Sequence, residues 1–281
     1  MRLGFHLSIA GSLLRALEQA RVLGCEALQI FIQNPRSWKW RELAPGAIRQ
    51  FSAARRNSGL GPLVVHLSYL PNLAAADPDL YGLSTARLCR ELALARDLEA
   101  DYLAVHPGHG ALSPVSLARI ARALARAVSQ VPPPPLVLLE NTAGQGLELG
   151  WRLTQLGEIM ALSAVPLGLC LDTSHAFAAG YDLTAADGVS RLLAEIAGGP
   201  GLTRLRILHL NDSKAPLNSR RDRHMHLGQG NIGLAGLKQF FSHPWLSLEA
   251  AIMETPRRHM VDEWLNLLAA RTLMSGLPLL R

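Results

Sequence analysis

Cysteine is scarce: Cys25, Cys89 and Cys170 are the only three thiols in 281 residues, and they stand far apart. An odd count with no Cys-x-x-Cys pair excludes a disulfide framework and a cysteine zinc site. The three are expected to be buried, reduced thiols of a cytosolic protein. Lysine is also rare, with only Lys39, Lys214 and Lys238 against 25 arginines. No run of 18 apolar residues occurs, and the opening MRLGFHLSIAGS lacks the long apolar core of a secretory leader. Neither a membrane span nor export is indicated, so a soluble chain of a bacterial-type cytosol is expected, with no membrane partner. No G-x-G-x-x-G follows the first apolar run, which disfavours a dinucleotide-binding doubly wound sheet. The one low-complexity piece, VPPPP at 131–135, reads as a stiff connector between a helix and a strand.

What is present argues for a folded α/β chain. Hydrophobic residues make up 49% and charged ones 18%, enough for a large core and too apolar for bulk disorder. The net charge of +6 suits a polyanion such as nucleic acid, although an arginine-rich composition also follows from GC-rich coding or adaptation to heat. Eight short apolar runs recur: LGFH (3–6), ALQIFI (27–32), PLVVH (62–66), DYLAVH (101–106), PLVLLE (135–140), PLGLCLD (166–172), LRILHL (205–210) and LEAAIME (248–254). They do not alternate apolar with polar, as befits strands of a parallel sheet buried on both faces. Between them, segments such as SPVSLARIARALARAV carry apolar residues at three- and four-residue spacing, the pattern of amphipathic helices. Eight strand-helix units of about 35 residues match a (β/α)8 TIM barrel, a single domain spanning residues 1–281, with an open sheet as the alternative.

The ends of these runs carry the chemistry. His66, His106, Glu140, Asp172, His209 and Glu254 terminate or nearly terminate predicted strands, and a TIM barrel opens all its strand C-termini onto the one face where active sites sit. Asp, Glu and His together are 32 of the 281 residues, about one in nine, so six of eight strand ends is a concentration that composition does not give. A lone histidine in such a place, such as His6, is ordinarily a hydrogen-bonded rim residue. A carboxylate buried behind an apolar run, such as Glu140 or Asp172, is costly unless it is paired or metal-bound. Asp172 and His175 lie three apart where a strand turns into a loop, and Asp222 and His224 lie two apart in DRHMH, a spacing that points both the same way in extended chain. Mixed His and carboxylate ligation without cysteine suits Zn²⁺ or Mn²⁺ at a catalytic site. Nine ligands suit two or three ions.

The segments VHLSYLPNLA (65–74), HPG (106–108), LENTAGQG (139–146), LDTSHAFAAGYD (171–182), HLNDSKAPLNSRRDRHMHLGQGNIG (209–233) and MET (253–255) resemble, in order and over nearly the whole chain, the endonuclease IV family of apurinic/apyrimidinic (AP) endonucleases. The resemblance implies a DNA-repair enzyme of base excision repair, acting as a monomer near the nucleoid. It would hydrolyse the phosphodiester 5′ to an abasic site in double-stranded DNA, leaving a 3′-hydroxyl and a 5′-deoxyribose phosphate. It further implies three zinc ions, with Mn²⁺ as a partial substitute. His66, His106 and Glu140 would hold one; Glu140, Asp172, His209 and Glu254 a second, with Glu140 bridging as the central catalytic residue; and His175, Asp222 and His224 the third. Arg36, Tyr69 and Leu70 match the positions that the family inserts into DNA.

Two departures from the family pattern are visible. His106 is followed by Pro-Gly-His-Gly where the family usually reads Pro-Gly-Ser-His, which places His109 near the site as an outer neighbour of the ligands. Asn218 stands where glycine is common, and asparagine tolerates the left-handed backbone that glycine would supply. Two rival readings of the same strand ends are a divalent-metal sugar isomerase or epimerase on this barrel and a metal-bound lesion-binding protein without catalysis. The Asp222-Arg223-His224 loop, Arg36 and the basic balance favour the nuclease over the isomerase.

Overall fold

The computed structural model describes residues 1–241, 243, 246–257 and 259–275. Eight parallel strands close a barrel: β1 (Arg2–Leu7), β2 (Ala27–Phe31), β3 (Leu63–His66), β4 (Tyr102–Val105), β5 (Leu136–Glu140), β6 (Gly168–Asp172), β7 (Leu205–His209) and β10 (Ala250–Met253). Each expected apolar run holds one of them, and β1 pairs with both β2 and β10 to complete the ring. A two-residue antiparallel hairpin, β8 (Asp212–Ser213) with β9 (His224–Met225), rises from the end of β7. The expected TIM barrel is therefore the fold observed.

Helices fill the intervals: α1 (Leu13–Leu23), α2 (Pro45–Ser58), α3 (Pro78–Asp97), α4 (Pro114–Gln130), α5 (Leu153–Leu162), α6 (Thr173–Ala179), α7 (Ala186–Gly198), α8 (Gly233–Phe241) and α9 (Met260–Ser275). Their starts are written in the sequence. Ser12 caps α1, Asp77 caps α3, and Ser113 forms a reciprocal capping box with Ser116 ahead of α4, where Pro114 occupies the first turn. Helix α4 then lays Leu117, Ile120, Ala121 and Leu124 against the barrel, one apolar stripe at three- and four-residue spacing. Each fully buried Leu or Ile of this kind contributes about 1.5–3 kcal/mol. The proline stretch spans the gap between Gln130 and Leu136, as expected of a connector.

Inside the barrel the side chains of each strand alternate with period two, and this alternation sets the site. Val64, Ala104, Leu138, Cys170, Ile207 and Ile252 form one inward apolar layer, joined by Ala27, Tyr102 and Ala250. Two residues further along the same chains stand His66, His106, Glu140, Asp172, His209 and Glu254. The polar layer is thus the next inward storey, at the C-terminal mouth. Gly4 lets β1 close against β2, because a Cβ there would come within 2.1 Å of the Ala27 carbonyl oxygen. Of the three cysteines only Cys170 is buried; Cys25 and Cys89 are half-buried on helices or turns that face solvent on one side, which corrects the expectation for those two. Among the described residues no helix is long and apolar enough to cross a membrane.

Candidate metal centre

Glu140 lies at the middle of the polar storey and is fully buried. Its Oε2 faces His66 Nε2 at 3.1 Å and His106 Nε2 at 3.3 Å, while Oε1 faces His209 Nδ1 at 2.9 Å and His175 Nδ1 at 3.4 Å. One carboxylate therefore serves two groups of imidazoles. The Glu254 Oε2 comes within 3.5 Å of His209 Nδ1, which brings β10 to the same point. On the other side, His175 Nε2 lies 3.4 Å and His224 Nε2 3.3 Å from Asp222 Oδ1, and His224 Nε2 lies 3.6 Å from Asp172 Oδ2. All nine expected ligands thus meet at one mouth. Among the described residues, donor atoms within 4.8 Å of one another form four groups: His66–His106–Glu140, Glu140–Asp172–His209–Glu254, Asp172–His175–His224 and, with the Cys170 thiol, Glu140–Cys170–His209.

The orientation of each imidazole follows from what its other nitrogen touches. His66 donates Nδ1–H to the Leu67 carbonyl at 2.8 Å, which leaves Nε2 as a lone pair toward Glu140. His224 donates Nδ1–H to the Glu254 carbonyl at 3.2 Å. His209 donates Nε2–H to Gln29 Oε1 at 2.8 Å, turning Nδ1 inward. The Asp172 carboxylate accepts from the His175 backbone N–H and from Asn211 Nδ2, each at 2.7 Å, and the Asn211 oxygen accepts from the Glu254 N–H at 2.8 Å. Gln29 Nε2 donates to Glu254 Oε1 at 2.6 Å, and His6 Nδ1 lies 2.9 Å from the same oxygen. His106 Nε2 and His224 Nε2 are buried and have no hydrogen-bond partner. Unpartnered buried nitrogens aimed at carboxylate oxygens are the donor set of a divalent transition metal, so the residues fit such ions.

Electrostatics agree with close packing of opposite charges. Burial alone pushes the Glu140 carboxyl upward, yet the neighbouring His209 and His106 hold it well below the usual carboxylate range. Glu254, also opposed by burial, is held low by His209 and His6. Burial lowers His175 and His209, but their neighbours raise both well above 6.5: Asp172 and Asp222 for the first, and Cys170, followed by Glu140 and Glu254, for the second. Both shifts favour keeping the ring protons in the metal-free protein. A metal takes only the unprotonated nitrogen, so loading must expel them, and affinity must fall as pH falls. Titrating metal into metal-free protein at pH 7 in two buffers of different ionisation enthalpy is expected to show a net release of protons. Equal heats in both buffers would contradict it.

The loop that carries Asp222 and His224 is organised by a residue that the sequence reading passed over. Asp212, buried at the start of β8, accepts five backbone N–H groups: those of Ser213 (2.8 Å), Gly228 (2.9 Å), Gly230 (3.1 Å), Ile232 (3.0 Å) and Gly233 (3.2 Å). Gly230 is required for this approach, since a Cβ there would meet Asp212 Oδ1 at 2.4 Å. Further along the loop, Asn218 takes the left-handed φ of 59° that its side chain was expected to tolerate, and the Arg220 guanidinium lies 3.8 Å over the Trp151 ring. In Asp212→Asn an amide –NH2 replaces an oxygen that backbone donors need. That variant is expected to lose about one metal equivalent and about 10- to 100-fold in activity, read by elemental analysis and a cleavage assay. Full metal content with unchanged activity would refute it.

Sequence reasoning also missed Gln29, Asn141 and Asn211. Gln29 offered a signal, being the one polar residue inside the run ALQIFI, and so did Asn211, directly behind the strand-ending His209. His109, read as an outer neighbour of the site, is exposed, and the Asn72 side chain bonds both its N–H and its carbonyl. Arg36 is exposed, Tyr69 is half exposed at 51%, and Leu70 is partly buried. The Tyr69 N–H donates to the Pro35 carbonyl at 3.0 Å, which joins their two loops, and the Tyr69 ring packs edge-on against Phe31 and His66. Burial pushes the Tyr69 phenol well above its usual range, so it stays neutral. These three residues stand beside the polar storey rather than in it.

Comparison with known proteins places the chain in a family context. A family model described as a xylose isomerase-like TIM barrel matches residues 17–270. Endonuclease 4 from one strain of Thermus thermophilus is 43% identical over 265 residues, covering 94% of this chain and 95% of that one. The crystal structure of endonuclease IV from another strain of Thermus thermophilus superposes with a TM-score of 0.88 at 41% identity, over 99% of this chain and 100% of that one. A D-psicose 3-epimerase from Clostridium cellulolyticum, 12% identical with a TM-score of 0.68 over 98% of this chain and 99% of that one, shares the fold alone.

Proposed function

The chain belongs to the endonuclease IV family, and from that premise we propose that it is a metal-dependent AP endonuclease cutting double-stranded DNA. The reading is specific: hydrolysis of the phosphodiester 5′ to an abasic nucleotide, giving a 3′-hydroxyl and a 5′-deoxyribose phosphate, at three zinc ions for which Mn²⁺ substitutes in part. His66, His106 and Glu140 would hold one ion, Glu140, Asp172, His209 and Glu254 the second, and His175, Asp222 and His224 the third. The observation that carries it is the double-sided Glu140 carboxylate, with two imidazoles on each oxygen. Such a cluster supplies Lewis acidity and a water acidic enough to ionise near neutral pH.

The chain's own groups do the rest. Glu140 sets the spacing of its two ligand groups, and the bonds from Gln29, Asn141 and Asn211 hold them still, so little reorganisation is left for the moment of reaction. Tyr69 and Leu70 would enter the duplex at the missing base, where unstacking costs least, and Arg36 would take the facing strand. The +6 net charge favours encounter with a polyanion. Nothing in the site requires a protein nucleophile. The epimerase likeness concerns the barrel only, and the Asp222–His224 hairpin gives the nuclease reading a third ligand group that the isomerase reading leaves without a role.

Incubation of metal-analysed protein with a duplex carrying one natural abasic site tests this directly. The expected product is a single incision whose upstream fragment primes a polymerase, as a 3′-hydroxyl must. No incision, or an upstream fragment blocked by an unsaturated sugar, would reject the reading.

A further inference from the structure

A buried ion pair behind the site has no part in the chemistry described above. Arg87 and Glu91, one turn apart on α3, are 5% and 0% exposed, with Arg87 Nε 2.5 Å from Glu91 Oε1. Glu91 accepts from the Ser68 hydroxyl and, at 3.3 Å, from the Ser68 backbone N–H. Arg87 Nη2 donates to the Ser68 Oγ at 3.1 Å, and its Nη1 donates to the Trp38 carbonyl at 3.3 Å. The guanidinium also lies 5.2 Å from the centre of the Trp40 ring, on whose face Arg90 stacks at 3.9 Å. Ser68 precedes Tyr69 and Leu70, and Trp38 follows Arg36 by two residues. One side chain on a rigid helix thus holds both loops whose tips carry the expected DNA contacts. The Tyr69 N–H to Pro35 bond joins the same loops nearer their tips, and Gln33 closes the base of the first by bonding the Arg41 N–H and carbonyl.

A buried ion pair is poor value as a source of stability, since desolvating two charges offsets most of their attraction. Its strength is geometric, because a planar guanidinium fixes several acceptors at once. We propose that the Arg87–Glu91 pair is a positioning device that locks the 33–42 and 67–72 loops into one rigid unit, so that Arg36 enters the duplex in register with Tyr69 and Leu70. This rests on the reading of those three residues as DNA contacts. Arg87 and Glu91 touch neither the ligands nor the space above them, so they act on recognition of the duplex and leave the metal centre intact.

The test is the double variant Arg87→Met/Glu91→Met, which removes both charges and keeps buried volume, a replacement that proteins tolerate well. Three quantities are compared with the wild type: KM and kcat on an abasic duplex, hydrolysis of the small diester bis(p-nitrophenyl) phosphate, and metal content. The expected result is a KM for the duplex raised about tenfold or more, with small-diester hydrolysis and metal content unchanged. Amide hydrogen exchange is expected to quicken in 34–41 and 67–72 together. Wild-type KM on the duplex, or faster exchange in one loop only, overturns the proposal. Should the double variant fail to fold, Ser68→Ala, which cuts one arm, is expected to raise KM about threefold, and an unchanged KM there overturns it too. If the wild type itself does not cut the abasic duplex, it is the AP endonuclease reading that fails, which separates the two outcomes.

Discussion

Glu140→Gln is expected to lower cleavage of an abasic duplex by about 10³-fold, because a metal cluster supplies several kcal/mol of charge stabilisation and each 1.36 kcal/mol is tenfold in rate. Among the described residues the Glu140 carboxylate alone has two imidazoles on each oxygen, at 3.1 and 3.3 Å on one side and 2.9 and 3.4 Å on the other. An amide keeps the shape but offers a single neutral oxygen and turns an –NH2 toward nitrogens that must be lone pairs. One ion would lose its carboxylate and the second would lose its bridge. Bound metal is therefore expected to fall alongside rate, and this distinguishes the variant from one that merely disturbs substrate. Retention of the wild-type rate would dismiss Glu140 from any central role.

Removing the metals is expected to abolish cleavage entirely and to lower the melting temperature by about 10 °C. Glu140, Asp172 and His209 are wholly buried and His66 and His175 are 3% exposed, so without cations their charges and protons face one another in a place that water does not reach. A ligand present at a thousand times its dissociation constant stabilises a fold by about 4 kcal/mol, and in a chain of this size each kcal/mol moves the midpoint by about 2–4 °C. Scanning calorimetry before and after exhaustive chelation measures the shift, and restoring zinc should restore both midpoint and activity. An unchanged midpoint in chelated protein, with metal absent by elemental analysis, would mean that the pocket is stable on its own hydrogen bonds and that the cations are not part of the fold.

The barrel and the convergence of the candidate ligands were legible because one physical rule governs both. Strands buried on two faces must be apolar throughout, so a charged or imidazole group appears only where the strand reaches the mouth, and His66, Glu140, Asp172 and His209 mark those points in the primary sequence. Asp222 and His224 lie on a loop with no periodicity, and there the family resemblance assigned them, the two-residue spacing saying only that they could face the same way. The supporting groups were harder to see. Gln29 sits among apolar neighbours and was absorbed into a strand, while Asp212 looks like any turn aspartate until its five N–H donors, spread from 213 to 233, come together. Arg87 and Glu91 stand at ordinary helical spacing and drew no notice in the sequence; only tertiary packing puts them inside.

The two-storey interior also dictates how descendants of this chain can diverge. Adding one residue within the core of β5 would swing Glu140 out among the helices and bring Leu139 into the mouth in its stead, and deleting one would bring Asn141 there. The same holds for Asp172 on β6 and His209 on β7, so length changes are confined to the connecting loops, and a library that randomises strand length would be almost wholly dead whereas one that lengthens the loops on the opposite face of the barrel would survive.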